Sequence, residues 1–471
     1  MEPRSLTEPD VLAQPAQVTD VVDAFDAGGG VDLHFSLDYR HTWKRATISR
    51  ETQDPAVLAA AANGIARVQI GKYAETTSRL DVKGEIGLYH DLALIVRLPI
   101  ILSHRETLEG SAPPVGALDA TVGDPLFGVP FSSPNRSGVE WLGVGVDWGI
   151  LNQWRNDAQP TLLVGAEGRF SVSEPMHACD AVRCAYPSDI DRDGTSGEFE
   201  TELEPGTVTS LEGNFPATPR RAGVSRGTTM LELHSWVSRR FRRLEPYMGV
   251  SALLEFANDD SDFGGKRPWN AGPPWRGAVS AGTEFIPWEA VEQFQRLSLD
   301  VRFTGTYHAG GDDYSELFDA LGSAPSPSYR RPNFAGYRSN PDPGTATDFP
   351  SVVDPNSERI FATGITRVQA YGEYAVRLAG RLQAGEYVHF DIGGAFGLTE
   401  RHGLTTALAC DSARQASVAQ AGPCLGSDGS GSAVLGAYNP RFRPEIDLPG
   451  RRFSVDTAST IDAWVGATVM F

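Results

Sequence analysis

Val31-Asp32-Leu33-His34-Phe35-Ser36-Leu37-Asp38-Tyr39 carries an apolar side chain at every odd position and a polar one at every even position. Leu80-Asp81-Val82-Lys83-Gly84-Glu85-Ile86-Gly87-Leu88 repeats the pattern, and Leu297 to Tyr307 repeats it again. A period of two describes a strand with one greasy face and one wet face; helical spacing gives 3.6. Followed outward, the alternation predicts twelve strands near 30–43, 78–90, 92–104, 138–150, 160–172, 227–241, 245–257, 275–287, 296–308, 367–379, 386–399 and 459–471. Each is longer than the usual globular strand of about five or six residues, and long enough for the roughly 9 to 11 that a tilted membrane strand needs.

The links between strands make an independent test. His90-Asp91 is a tight turn, and 152–159, 242–244, 288–295 and 380–385 are short. Alternating with them stand 44–77, 105–137, 173–226, 258–274, 309–366 and 400–458, expected as external loops. Short turns at one end and long loops at the other characterise membrane barrels. The expected fold is all-β: a closed antiparallel transmembrane barrel over 29–471, preceded by a periplasmic segment over 1–28 that serves as a tether or a plug.

Composition agrees. The 471 residues include 41 basic and 60 acidic, a net charge of -19, which makes nucleic acid an unexpected partner. No run of about 18 apolar residues exists, which excludes a helical membrane protein. The 50 glycines and 32 prolines favour turns over helices. Modest hydropathy is compatible with a barrel, because only alternate residues meet lipid.

The two faces read differently. Leu92, Leu94, Val96, Leu98, Ile100 and Leu102 form one uncharged column, and Leu142, Val144, Val146, Trp148 and Ile150 another. An Arg or Lys at such a site costs about 2–4 kcal/mol at the bilayer midplane. Tyr39, Trp43, Phe256, Trp275, Tyr307 and Phe396 would mark the outer interface, and Trp148, Trp288 and Phe471 the inner one; the plainer reading is core aromatics. The opposite face collects Asp32, Asp38, Arg40, Asp81, Lys83, Glu85, Arg97, Asp147, Glu167, Arg169, Glu232, Asp300, Arg302, Glu373, Arg377 and Asp391. A dry interior does not hold so many ions, so they face a lumen. Acids outnumber bases there, an expectation of mild cation preference in a narrow or ion-pair-filled pore.

The loops carry further candidates. Asp189-Ile-Asp191-Arg-Asp193-Gly194-Thr195-Ser-Gly197-Glu-Phe-Glu200 matches the twelve-residue calcium loop, with ligands at Asp189, Asp191, Asp193, Thr195 and Glu200. A structural calcium ion is expected there, against the plainer reading of an acidic external loop. Cys179 and Cys184, and Cys410 and Cys424, are close in sequence; local disulfides are the simplest of three connectivities and would imply an oxidising compartment. Two segments, after Asp54-Pro55 and over Ser315 to Leu321 before Gly322, have helix start and stop signals. Either folds over the barrel mouth or packs only its own loop. The polar start, Met1 to Ser5, has no signal-peptide core, so for an exported protein a leader would already be removed.

The final segment, Ile461 to Phe471, alternates and ends on an aromatic residue. In this it resembles bacterial outer-membrane β-barrels, whose last strand is read by the barrel assembly machinery. Gly87-Leu-Tyr-His-Asp-Leu-Ala-Leu-Ile-Val-Arg-Leu-Pro99, followed by Gly123-Asp124 and Gly128, resembles the transporters of the phenol meta-pathway outer-membrane family over residues 80–172. Ile100 stands where that family usually has an aromatic residue. The resemblance implies a Gram-negative outer-membrane location, lipid as surroundings and transport of a small solute. No enzymatic activity is expected: the phospholipase His-x-Ser-Asn-Gly motif is absent, and the luminal Asp32-x-His34 and His389-x-Asp391 pairs lie near the periplasmic end. The expected function is a porin-like channel for passive passage of a small solute through a charged lumen. The competing readings are a surface structural or adhesion protein, with the barrel anchoring disulfide- and calcium-braced loops, and a soluble secreted β protein.

Overall fold

The computed structural model describes residues 32–52, 65–110, 116–182, 221–263, 272–290, 293–331, 359–385, 387–411 and 433–471, with shorter pieces at 18–22, 24, 184, 200–202, 208–210, 333–334, 337–338, 352–353 and 423–427. Twelve long strands form the wall: β1 (Leu33–Thr52), β2 (Ala66–Tyr89), β3 (Leu92–Glu109), β4 (Leu142–Leu151), β5 (Thr161–Phe170) and β6 (Thr228–Ser238). The ring continues through β7 (Leu244–Ala257), β8 (Arg276–Ala290), β9 (Gln295–His308), β10 (Tyr371–Ala384), β11 (Val388–Thr399) and β12 (Ala458–Met470). Each pairs antiparallel with its neighbour in sequence, and β12 pairs with β1, from His34 opposite Met470 to Arg45 opposite Ser459. The Leu33 N–H donates to the Phe471 carbonyl at 3.0 Å, and the Phe471 N–H returns the bond at 2.9 Å. The ring of pairings closes on itself, so the wall presents no open sheet edge to lipid.

Alternation decides which face each residue takes. On β4, Val144, Val146, Trp148 and Ile150 are 40%, 43%, 52% and 44% exposed, while Glu167 beside them on the inner face is 4% exposed. The outward column repeats on every strand, with Phe35 and Leu37 on β1, Val301 and Phe303 on β9, and Ile392 on β11. Soluble monomers do not expose contiguous apolar surface on this scale, so the solvent of this face is hydrocarbon. Trp43, Trp275, Tyr307 and Phe396 at one end and Trp148, Trp288 and Phe471 at the other are all exposed on the outside, which sets aside the core-aromatic reading. Among the described residues, no helix is long and apolar enough to cross a membrane.

The first hairpin corrects the expected loop at 44–77. The strands run on to Thr52 and back from Ala66, and Lys44 to Thr52 pairs with Glu75 to Ala66. At about 3.3 Å per residue the 24 residues of β2 amount to roughly 80 Å of strand, far more than a bilayer requires. The extension escaped the alternation test because it lies beyond lipid. Its buried side, with Ile48, Ile70 and Tyr73, packs on Leu126, Phe127, Leu321, Tyr329, Ile446 and Phe453 from the long loops. These side chains form a small hydrophobic core above the barrel mouth, a cap.

The helical segment expected after Asp54 lies outside the described residues. The one expected over Ser315 to Leu321 is shorter, α1 (Phe318–Gly322), followed by α2 (Pro327–Arg330) with Ser326 Oγ accepting from the Tyr329 N–H at 3.2 Å.

Candidate functional site: a divided lumen

Inward-facing polar residues meet across strands because each register places them opposite one another. On the side built by β3 to β9 they fill the lumen. Glu167 takes Arg169 at 2.6 Å and Arg97 at 3.3 Å, and Arg169 also reaches Glu232. His234 lies 2.9 Å from Asp147, Arg296 lies 3.1 Å from Glu284, and Tyr247 donates to Asp300 while accepting from Arg302 at 3.0 Å. His308 approaches Glu373 at 3.3 Å.

Two chambers lie within the barrel, the inner against β1, β2 and β10 to β12 and the outer against β1 to β3 and the loops above them. The outer, about 330 Å³, is bounded by Tyr73, Glu75, His104 and Glu106 on the wall and by Tyr314, Glu316 and Phe318 from the loop after β9. That loop folds inward and is clamped. Arg136 grips Asp319 with two nitrogens at 2.6 and 2.8 Å, both side chains almost wholly buried. Asp319 also accepts the Cys179 N–H at 2.9 Å, beside the Cys179–Cys184 disulfide. Lys44 of β1 reaches Glu316 at 2.9 Å. Burial alone would lift the Glu316 carboxyl, but the Lys44 ammonium, His402 and a backbone hydrogen bond together outweigh it and hold the acid below its ordinary range. Arg226 ties Asp313 to Glu255, 2.6 Å from each.

The inner chamber, about 250 Å³, lies between His34, Ser36, Asp38 and Arg40 of β1, Arg377 and Arg381 of β10, and His389 and Asp391 of β11. Part of the N-terminal segment enters it: Asp20 and Val22 contribute to its lining, and Thr19 Oγ1 is 2.8 Å from Ser238 Oγ. Burial lifts Asp20 to about 6, against the pull of Arg381. Trp464 points inward from β12 and lies across Gly393, where any side chain would collide with the indole. The guanidinium of Arg377 sits 4.4 Å and that of Arg40 5.6 Å from the indole centre. Asp38 and Asp391, two strands apart, come together over Gly466 for the same reason.

Among the residues singled out from sequence, Asp81 pairs with Arg79 at 2.9 Å and Lys83 with Glu85 at 2.6 Å. Asp32 stands just before β1, where its carbonyl accepts the Gly87 N–H at 2.9 Å. Arg302 stacks on Trp236 as well as approaching Asp300 at 4.0 Å. Sequence reading missed Trp464 and Arg381. Trp464 shares the parity of Asp462, so its inward direction was there to be read; Arg381 fell in a presumed turn because β10 was ended at 379. The calcium candidates Asp189, Asp191, Asp193 and Thr195 lie outside the described residues, as does the side chain of Glu200. Cys410 is disulfide-bonded, and the side chain of Cys424 also lies outside the described residues.

Fold and site together define a closed twelve-stranded antiparallel transmembrane β-barrel. The chain is similar to an outer membrane channel from Pseudomonas putida F1 at 9% identity, covering 93% of this chain and 95% of that one, with a TM-score of 0.36. It is similar to a Pseudomonas aeruginosa FadL homologue at 10% identity, covering 99% and 95%, with a TM-score of 0.31. A third similarity is to the TodX monoaromatic hydrocarbon channel deltaS2 mutant, at 8% identity over 98% and 94%, TM-score 0.31. No protein-family model and no curated protein matches the chain.

Proposed function

We propose that this protein is a bacterial outer-membrane channel through which a small polar solute diffuses passively. The observation that carries the reading is the pair of charged chambers, about 330 and 250 Å³, enclosed by a wall whose outside is apolar. Charge inside and hydrocarbon outside is the arrangement of a pore. The clamped loop after β9 narrows the outer end, and the segment around Asp20 narrows the inner one. The surroundings are outer-membrane lipid, and the final strand ending in Phe471 is the segment the assembly machinery would read. A calcium ion bracing the loop at 189–200 belongs to the same reading.

Planar-bilayer recording tests it. Stable single-channel steps, larger in Asp319→Ala, support the channel; a barrel silent in both forms removes it. The cap above the mouth supports a second reading, a surface protein whose folded loops are the working part and whose barrel is an anchor. Silence in the bilayer together with binding of a surface ligand by the cap would favour that reading.

A further inference from the structure

The charges of the inner chamber do not all cancel. Lys83 is matched by Glu85 and Asp81 by Arg79. Asp38 and Asp391 face each other, so part of the acidic excess is directed at acid. Arg40, Arg377 and Arg381 make no ion pair within 4.0 Å among the described residues, and the Nε of each is buried without an acceptor. Trp464, 6% exposed and lining the same chamber, has an indole N–H that also lacks an acceptor.

Buried N–H donors without an acceptor are costly, and beside three guanidiniums the chemistry that satisfies them is an oxyanion. A guanidinium presents a planar fork matched to a carboxylate. We propose that the inner chamber is a binding site for a small polar monocarboxylate, held by Arg40, Arg377 and Arg381 and by the Trp464 N–H. The neighbouring carboxyls of Asp20, Asp38 and Asp391 repel a second negative charge, which disfavours a dianion such as phosphate. Ser36, Thr468 and His34 give the rest of the lining hydrogen-bonding character, which suits a hydroxylated carboxylate better than an apolar one. At about 30 Å³ per water, the space holds on the order of eight waters, enough for a molecule of lactate size.

The inference deepens the channel reading by naming the solute class, and it reverses the local consequence of the lumen's acidic total. What a solute meets at this level is three guanidiniums and three carboxyls left over after pairing, with the guanidinium and indole donors free for an oxyanion.

Equilibrium dialysis of the full-length barrel in detergent micelles against radiolabelled lactate tests the site. Saturable one-site binding is expected in the wild type and in Arg45→Gln, an exposed control. The double variant Arg40→Gln/Arg377→Gln should bind about tenfold more weakly or worse. Trp464→Phe keeps an aromatic ring, though a smaller one, and removes the N–H, so binding several-fold weaker is expected with the barrel's heat-modifiable gel mobility unchanged. No saturable lactate binding in the wild type, equal binding in the double variant and the wild type, or phosphate competing as well as lactate would each overturn the proposal. Dialysis needs no open path, so the two failures separate. Conductance without lactate binding overturns this site and leaves the channel; lactate binding by a barrel that never conducts supports the site and removes the channel.

Discussion

The two chambers share one wall and treat charge in opposite ways. Around the outer chamber the strong ions are matched: Arg136 with Asp319, Lys44 with Glu316, and Arg226 with Asp313 and Glu255. Each of these joins the loop after β9, or its neighbours, to the barrel, so the charges there are fasteners. In the inner chamber Arg40 and Arg377 lean on Trp464 with no carboxylate of their own. The difference teaches that a total of acids and bases along a lumen says little about what the lumen prefers. Pairing removes charge from view, and the remainder decides.

The largest expected effect tests the fasteners. Asp319→Ala strands a buried guanidinium, a loss of about 3–5 kcal/mol from the docked loop. Limited proteolysis between residues 309 and 331 should accelerate sharply while the barrel keeps its folded gel mobility; an unchanged digestion pattern would break the contrast between the chambers. Next comes the wall both chambers depend on. Val146→Arg puts a charge on the outer face and should destabilise the barrel by about 2–4 kcal/mol, read from denaturant unfolding in lipid vesicles.

A smaller effect is expected inside. Gly393→Leu overfills the ground under Trp464 at a cost of about 1–3 kcal/mol. The near-ultraviolet circular dichroism of the indole should change while net charge stays constant. A spectrum identical to the wild type would show that the indole does not rest there.

The smallest effect sharpens the outer half through pH. Asp447, in a short helix of the cap (Pro444–Asp447), is pushed up to about 7 by burial, against backbone N–H groups of Arg443 and Ala407 that favour its charged form. The ordinary aspartate value is 3.8. The folded value is the higher one, so this group's stabilising contribution is complete below about pH 4 and is lost as pH rises through about 7. Protease cleavage in residues 400–457 should be a few-fold slower at pH 5 than at pH 8 for a pH-insensitive protease, and Asp447→Asn should flatten that difference.

The wall was legible because lipid enforces a rule on every second residue. Leu92 to Leu102 and Leu142 to Ile150 obey it, and the short and long links confirm where one strand hands over to the next. The rule ends where lipid ends, which is why Lys44 to Thr52 read as loop while continuing as strand. The inward fold of Ser315 to Gly322 was one of two open readings, since its choice depends on partners such as Arg136 that are distant in sequence. The chamber itself is harder still to read. Gly393 and Gly466 look like weak strand residues in the chain, yet they are the vacant places that let Trp464, Asp38 and Asp391 lie flat. The docking of Asp20 left no periodic trace at all.

The reciprocal bonds between Leu33 and Phe471 have a consequence for biosynthesis. The seam joins the first strand to the twelfth, so the cylinder cannot seal until the segment that forms β12 has been made. Everything upstream must wait as an unclosed sheet, shielded by helpers or by membrane. A bulky insertion directly after Phe471 would hang from that stitch.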